Sequence, residues 1–577
     1  MQRGHTSIVV QKSITWPTDP DRPTTATRVA QTRQAPPLGR GRFYSVTSPF
    51  DRIRPAATTA RQVSDLAAAF GLTIAPGHPA HAAVTCVASD NRVVRPGDLF
   101  VAVPGARAHG AQFAADAVGR GAAAILTDAR GAELIEGAGV PVLVADEDPR
   151  AFLGQVAAWV LGNPAADLMT FGVTGTNGKT TTTYQLDHLL RALGWKGGLI
   201  GTVETRSGDR VIPSVLTTPE AADLQALLAA MREDHVRTLA MEVSSHALAQ
   251  HRVDGVVFGV AGFTNLTQDH LDFHGDFESY FATKADLFTP ARARRGVVTV
   301  DDMWGERMAE AAQIPVATLT TLPGKAADWT VTDVAPSGTG SAFTLTHRDG
   351  RTLRTSTSLP GGYNVANAAL AVTMVLEGGS DIRDVTEALA TGQGLSATVP
   401  GRMEVLATAP RVVVDFAHNT EALQLSLAAL RPTTSGRLAV VFGATGDRDP
   451  GKRPFMGAAA VRGADVVYVT DDDPHDEDPA KVRAEVLAGT GPGAAPERTV
   501  EAVDGGGSRT VEVHEVAPRA EAIRAAIAAA DPEDTVLVAG RGHETVQEIA
   551  GVDHLLDDRV EARAALAART VRPQHDV

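Results

Sequence analysis

The run Thr174-Gly175-Thr176-Asn177-Gly178-Lys179-Thr180 lies directly after an apolar segment, Leu168–Thr174, and directly before a helix-forming one, Thr182–Leu193. That is the setting a phosphate-binding loop requires. Glycines let backbone amides turn inward around phosphate oxygens, and the following helix presents its positive end to the same anion. In such a loop Gly175, Thr176, Asn177, Gly178 and Thr181 supply the cradle, Lys179 neutralises the β- and γ-phosphates, and the Thr180 hydroxyl ligates Mg²⁺. A strict Walker A pattern needs glycine at 173, where Val173 stands. The loop alone predicts a bound nucleoside triphosphate, and motors, GTPases and ligases all share it.

A second cluster follows. The next strand ends in Met241-Glu242-Val243-Ser244-Ser245-His246, and strand ends face the ligand crevice of a doubly wound sheet, so Glu242 is expected to meet the Mg²⁺ of Thr180. After the third strand comes a polar loop, Thr264 to His274, in which His270 is the best second metal ligand and Asp269, Asp272 and His274 hold the loop in shape. Lys284 falls on a helix pattern, Tyr280–Phe288, whose apolar residues share one face. By pattern alone it is a solvated helix lysine.

The elements that must position these groups form three α/β units. The first sixty residues, rich in Pro, Thr, Arg and Gln, read as a disordered leader; a targeting peptide and a start codon placed too early are the other readings of it. An N-terminal α/β domain over 61–165 carries strands at Leu99–Ala102, Ala124–Thr127 and Pro141–Val144. A central doubly wound, mostly parallel sheet over 166–398 has strands at Leu168–Thr174, Val236–Val243, Val257–Phe263 and Gly296–Val300, helices at Thr182–Leu193 and Ala221–Arg232, and an appended antiparallel hairpin in Trp329–Thr355. A C-terminal Rossmann-like domain over 399–577 has strands at Arg411–Asp415, Leu438–Phe442, Asp465–Thr470 and Thr535–Ala539, with surface loops at Gly489–Pro496 and Gly505–Ser508.

Composition agrees. A chain of 577 residues exceeds one hydrophobic core, at about 100–200 residues per domain. With 44% hydrophobic and 21% charged residues it is an ordinary globular protein, and a net charge of −15 excludes a protein whose task is to coat nucleic acid. The single cysteine, Cys86, forbids an internal disulfide and any multi-cysteine metal site. No apolar run approaches the roughly 20 residues that cross a bilayer, so no membrane partner is expected and a reducing cytoplasm is the simplest address.

Taken in order, Gly172–Thr182, Leu216–Glu220, Met241–Gly255, Phe263–Gly275, Tyr280–Phe288, Asn364–Asn367, Pro400–Glu404, Val414–His418, Gly446–Pro454 and Gly540–Glu544 resemble the ATP-dependent Mur ligase family. Within it they are most similar to the MurE type, which adds the third residue to UDP-N-acetylmuramoyl-L-alanyl-D-glutamate. The resemblance implies a monomeric enzyme using ATP and two Mg²⁺ ions. It implies that Asp90, Asn91 and Arg92 hold the uridine end, with Asn91 where the family usually has serine, and that Thr217, Thr218, Ser245 and Arg252 hold the muramoyl-dipeptide. Asn364 and Asn367 are expected at the adenine, and Arg402 and Asp415 at the phosphates and ribose. Lys284 is expected to be carbamylated by CO₂ and to share a second Mg²⁺ with His270. The implied reaction passes through an acyl phosphate on the D-glutamate side chain, which an incoming amine displaces.

In the C-terminal domain the resemblance assigns the amino acid to Arg448, Lys452, Asp472, Asp473, His475, Gly540 and Glu544. Ligases of this type that take meso-diaminopimelate carry Asp-Asn-Pro-Arg, the arginine gripping the distal carboxylate; here Asp472-Asp473-Pro474-His475 stands instead, inside the acidic run Asp471–Asp478. An imidazole amid acids favours a side chain ending in ammonium. L-lysine is therefore expected before L-ornithine and meso-diaminopimelate. Folylpolyglutamate and cyanophycin synthetases and the dipeptide-adding Mur ligase are rival enzymes, and a noncatalytic nucleotide-binding partner is the rival of another class.

Overall fold

The structure is a computed structural model that describes residues 53–105, 108–447, 449–491, 497–504 and 507–570. Arg448, residues 1–52, the Gly489–Pro496 loop beyond Gly491 and the Gly505 end of the last expected loop lie outside the described residues. Gly507 and Ser508 are not loop but the start of a strand, Gly507–Glu515. Of the segment expected to be a disordered leader, residues 53–57 pack against the ordered domains. Ile53 is buried in the central core, Arg54 donates to Asp98 at 2.6 Å, and the amides of Ala56 and Ala57 donate to Glu233 at 2.7 and 2.8 Å.

The N-terminal sheet has five strands in the order Thr73–Ile74, Val142–Ala145, Ala124–Asp128, Asp98–Val101, Cys86–Ala88, parallel except for the first. The central sheet has eleven. Seven run parallel, in the order Gly197–Ile200, Thr238–Glu242, Met169–Thr174, Phe258–Phe263, Ala293–Thr299, Val316–Thr320, Trp329–Ser337. Antiparallel strands extend both edges: Glu204–Ser207 with Arg210–Pro213 on one, Gly340–His347 with Thr352–Thr357 on the other. The hairpin expected in Trp329–Thr355 is thus continuous with the central sheet, tied to it by Leu319↔Trp329 and Thr320↔Thr330.

Helices cover both faces. The sheet strands are buried on both sides, which is why Met169–Thr174 reads as one apolar run without alternation. Lys179–Ala192 and Gly362–Glu377 pack with Phe171, Trp329 and Phe343 on one face; Ala221–Glu233 and Phe277–Ala285 pack with Phe258, Phe263 and Phe288 on the other. Met169–Thr174 lies between Thr238–Glu242 and Phe258–Phe263, so the chain order reverses beside it. A crevice opens at such a point, at the carboxyl ends of the strands.

The C-terminal sheet has seven strands, in the order Glu404–Thr408, Arg411–Asp415, Thr535–Ala539, Leu438–Phe442, Val466–Val469, Gly507–Glu515, Glu497–Asp504, with only the two edge strands antiparallel. Among the described residues no helix is long and apolar enough to cross a membrane.

A candidate nucleotide-dependent active site between two domains

The phosphate loop is shaped by two close approaches. Gly178 has φ +89°, and a Cβ there would meet Asn367 Oδ1 at 2.3 Å; at Gly175, φ +146°, it would meet Thr264 Oγ1 at 1.8 Å. Only glycine fits either place. Asn265, which the sequence reading did not single out, pins the turn from the neighbouring strand end, its carbonyl accepting from the Thr176 amide and its Oδ1 from the Asn177 amide, both at 2.9 Å. Gly178 then starts the helix Lys179–Ala192, three residues earlier than expected, and the amides of that first turn have no partner within the helix.

A cavity of about 670 Å³ lies over this helix end, walled by the central domain and by residues 402–426 of the C-terminal domain. Thr176, Asn177, Gly178, Lys179, Thr180 and Thr181 form its floor, with Glu242, His270, Asn364, Asn367, Arg402 and Asp415 around it. The structure therefore brings together from three sequence regions the residues expected at the nucleotide. Asn364 and Asn367 also bond each other at 3.2 Å, and Asn367 accepts from Thr182 at 3.4 Å.

Its charges are arranged for an anion and a cation. Lys179 folds back on its own loop, Nζ donating to the carbonyls of Gly175 and Thr176 at 3.0 and 2.9 Å, and burial pushes its pKa down. Arg402 reaches across the domain boundary to Thr180 Oγ1 at 3.4 Å, lies 4.1 Å over the Phe416 ring, and leaves its buried Nε without a hydrogen bond. Glu242 is fully buried, yet it accepts only from neutral donors: Thr180 and Thr202 hydroxyls at 2.9 and 3.0 Å and the Thr202 amide at 2.8 Å. No cationic side chain forms an ion pair with it among the described residues. A buried carboxylate beside a threonine hydroxyl with no paired cation is the donor set a hard divalent ion takes. Thr202 was also missed; its signal is position, just past the parallel strand adjoining Thr238–Glu242.

His270 adopts φ +53° and lines the same cavity, 4.8 Å ring to ring from His246. Partial burial and the nearby cations hold its imidazole down to about 4 against the pull of Asp269, so a ring nitrogen is left free of a proton at neutral pH. His274 turns away and bonds Ser245 at 3.0 Å. Lys284 is not a solvated lysine: it is 1% exposed, its Nζ donates to the Gly175 carbonyl at 2.9 Å and lies 4.4 Å over the Tyr280 ring. Burial and the Lys179 charge hold its amine well below the ordinary lysine range, which keeps it nucleophilic. It sits behind the phosphate loop and does not line the cavity.

Of the residues expected at the dipeptide, Thr217 and Arg252 reach the cavity wall. Thr218 and Ser245 are buried behind it. Thr218 donates to the Glu242 carbonyl at 2.9 Å and accepts the Ser244 amide, and Ser245 is engaged by His274. Their hydroxyls shape the wall. Asp90, Asn91 and Arg92 lie in the N-terminal domain, away from the cavity; Asp90 pairs with Arg92 at 2.6 Å and Asn91 donates to Asp116 at 2.8 Å.

Of the residues expected at the amino acid, Lys452 contacts His418 of the cavity wall, whereas Asp472, Asp473, His475, Gly540 and Glu544 lie on the C-terminal domain outside the cavity lining. Asp472, Asp473 and Glu544 converge there, and the fully buried Arg541 lies 2.6 Å from Asp473. Gly540, φ +115°, brings the backbone against Asp472, where a Cβ would come within 2.5 Å of Oδ2. The expected acidic field is mostly neutralised. Asp471 pairs with Arg483, Asp473 with Arg541 and Glu477 with Arg453, while Asp478 caps the helix Pro479–Ala488. His475 is held 2.9 Å from Glu548, and Lys452 donates to the His418 carbonyl at 3.1 Å. What remains is Asp472, raised by burial, and Glu544, raised to about 8 by burial and by Asp472.

Three family models cover the chain: the Mur ligase family catalytic domain over 83–159, the Mur ligase middle domain over 173–375, and the Mur ligase glutamate ligase domain over 401–542. The chain is 48% identical over 89% of its length to a UDP-N-acetylmuramyl-tripeptide synthetase of Leifsonia xyli, of which it covers 97%. The chain belongs to the Mur ligase family. It is therefore an ATP-dependent ligase that joins a carboxylic acid to an amine, as its resemblance implied. A diaminopimelate ligase of Streptomyces coelicolor is 46% identical over 89% of this chain and 98% of its own. Among solved structures, a UDP-N-acetylmuramoyl-L-alanyl-D-glutamate–2,6-diaminopimelate ligase superposes with a TM-score of 0.59 at 31% identity, covering 85% of this chain and 96% of that one. A Thermotoga maritima MurF in complex with ADP, at 20% identity and TM-score 0.57, shares the fold.

Proposed function

We propose that this chain joins a diamino acid to the D-glutamate of UDP-N-acetylmuramoyl-L-alanyl-D-glutamate, in the cytoplasm, with ATP converted to ADP and phosphate. The observation that carries the reading is the buried, cation-free Glu242 beside Thr180, facing Lys179 and Arg402 across a cavity large enough for a nucleotide.

The D-glutamate side-chain carboxylate attacks the γ-phosphorus, the bond to the β-phosphate oxygen breaks, and an acyl phosphate forms. The amine nitrogen then adds to the acyl carbon, and phosphate leaves as the nitrogen loses its proton. No protein nucleophile is needed. The protein must bring two anions together, and it supplies Lys179, Arg402 and the open amides of the Lys179–Ala192 helix to stabilise the charge. Lys179 is released from the Gly175 and Thr176 carbonyls when it turns to phosphate. Thr180 and Glu242 would hold one Mg²⁺, and His270 with a carbamylated Lys284 a second, which supply charge neutralisation. The buried Lys284 amine, held by burial and by Lys179 well below the ordinary lysine range, supports reaction with CO₂, and a carbamate there would place an anion beside Gly175. Arg402 and the 3.4 Å contact of Asn177 with Glu421 support closure of the C-terminal domain over the nucleotide.

The names of the Streptomyces and Corynebacterium relatives support meso-diaminopimelate as the amine. One observation favours L-lysine as a second reading: a distal carboxylate at His475 would meet the carboxylate of Glu548 at hydrogen-bond distance from the same ring. Phosphate release with UDP-muramoyl-dipeptide and ATP, measured side by side with lysine, ornithine and diaminopimelate, tests both. The ligase reading fails if none of the three stimulates release.

A further inference from the structure

A second cavity, of about 450 Å³, opens at the other end of the central strands, under the amino ends of Met169–Thr174, Thr238–Glu242, Phe258–Phe263 and Ala293–Thr299. Its floor is apolar, with Ala165, Met169 and Val257; its walls carry Trp195, Arg237 and Arg294. Neither of these guanidinium groups forms a hydrogen bond or ion pair among the described residues. Their neighbours do: Arg232 lies 3.4 Å from Asp167, Arg292 is 2.9 Å from Asp286, and Arg295 is 3.5 Å from Glu377. Asp167 is the only acid among the lining residues, and it faces Arg232.

Two unpaired guanidinium groups suit phosphate oxygens, which they can grip in bidentate fashion, and a half-buried indole over an apolar floor suits a flat ring. The volume falls within the roughly 300–1,000 Å³ of small-molecule sites. We propose that this cavity is a second, noncatalytic site for a phosphorylated molecule bearing a flat ring, the nucleoside monophosphate class. It lies where Asn163–Asp167 links the N-terminal and central domains, so its occupant would touch the linker that carries the UDP-binding domain.

GMP and inorganic pyrophosphate serve as probes, titrated into the full chain with saturating ADP. Saturable quenching of tryptophan emission by GMP is expected. Trp195→Phe should remove the quenching, and Arg237→Gln with Arg294→Gln should weaken GMP binding, read by calorimetry, by about tenfold or more. All three substitutions should leave ligase turnover without GMP unchanged, which shows that the variants fold. GMP binding of equal strength in the double variant, or no saturable binding up to about 10 mM, overturns the proposal. Pyrophosphate binding as tight as GMP binding overturns the ring assignment.

Discussion

The nucleotide cavity and the Asp472, Asp473 and Glu544 cluster are built on opposite electrostatic plans. In the cavity, Glu242 meets only hydroxyls and an amide, Lys179 meets only carbonyls, and Arg402 keeps a buried nitrogen unused. These three charges lack ion-pair partners until substrate supplies them. In the cluster the charges are already spent on one another, through Asp473 with Arg541, His475 with Glu548 and Asp471 with Arg483. The first plan suits transition-state stabilisation, where preorganised charge awaits charge. The second suits discrimination, because a ligand must fit the few groups left over.

The comparison breaks most sharply at the phosphate loop. Lys179→Ala and Glu242→Gln are each expected to lower kcat/KM by about 10³-fold or more with little loss of thermal stability, read by phosphate release and circular dichroism. If either were as active as the wild type, the cavity charges would be structural like those of the cluster.

In the cluster the order of effects should reverse. Arg541→Ala leaves Asp473 without its cation and Asp472 without its neighbour, and should cost about 3 kcal/mol in urea unfolding. Unchanged stability would show that the pair is not holding the loop. Selectivity comes next. His475→Arg is expected to raise kcat/KM for diaminopimelate relative to lysine by about tenfold, and more so combined with Glu548→Gln. An unmoved ratio places selectivity outside this pair.

The last effect is on pH dependence. Glu544 titrates near 8 in the folded protein against 4.5 ordinarily, so the folded state binds the extra proton. Stability of the ligand-free protein should therefore fall as pH rises from about 4.5 to about 8, and Glu544→Gln should flatten that part of the melting-temperature curve. Equal slopes in both proteins would remove Glu544 from the account.

The nucleotide half was legible in the sequence because its chemistry is local. Thr174–Thr180 is one turn between a strand and a helix, and Glu242 and His270 follow from strand ends facing one crevice. Asn265 and Thr202 escaped because a turn held from outside carries no pattern of its own. Lys284 was misread by pattern, as a surface lysine, because helical periodicity does not report that the phosphate loop closes over it. The packing of Ile53 and Arg54 escaped for a similar reason: their partners lie about 40 or more residues away.

The sequence by itself determined that a phosphate loop opens a doubly wound sheet, that two further α/β domains flank it, and that Glu242 and His270 face its crevice. Tertiary structure alone decided which charges remain available. The run Asp471–Asp478 looks like a field of free acids, yet Arg453, Arg483 and Arg541 arrive from up to about 70 residues away to neutralise it, and Glu548 arrives to occupy His475. Local spacing records the type of a side chain, but ion pairing falls off within a few ångströms and depends on neighbours that only folding brings together.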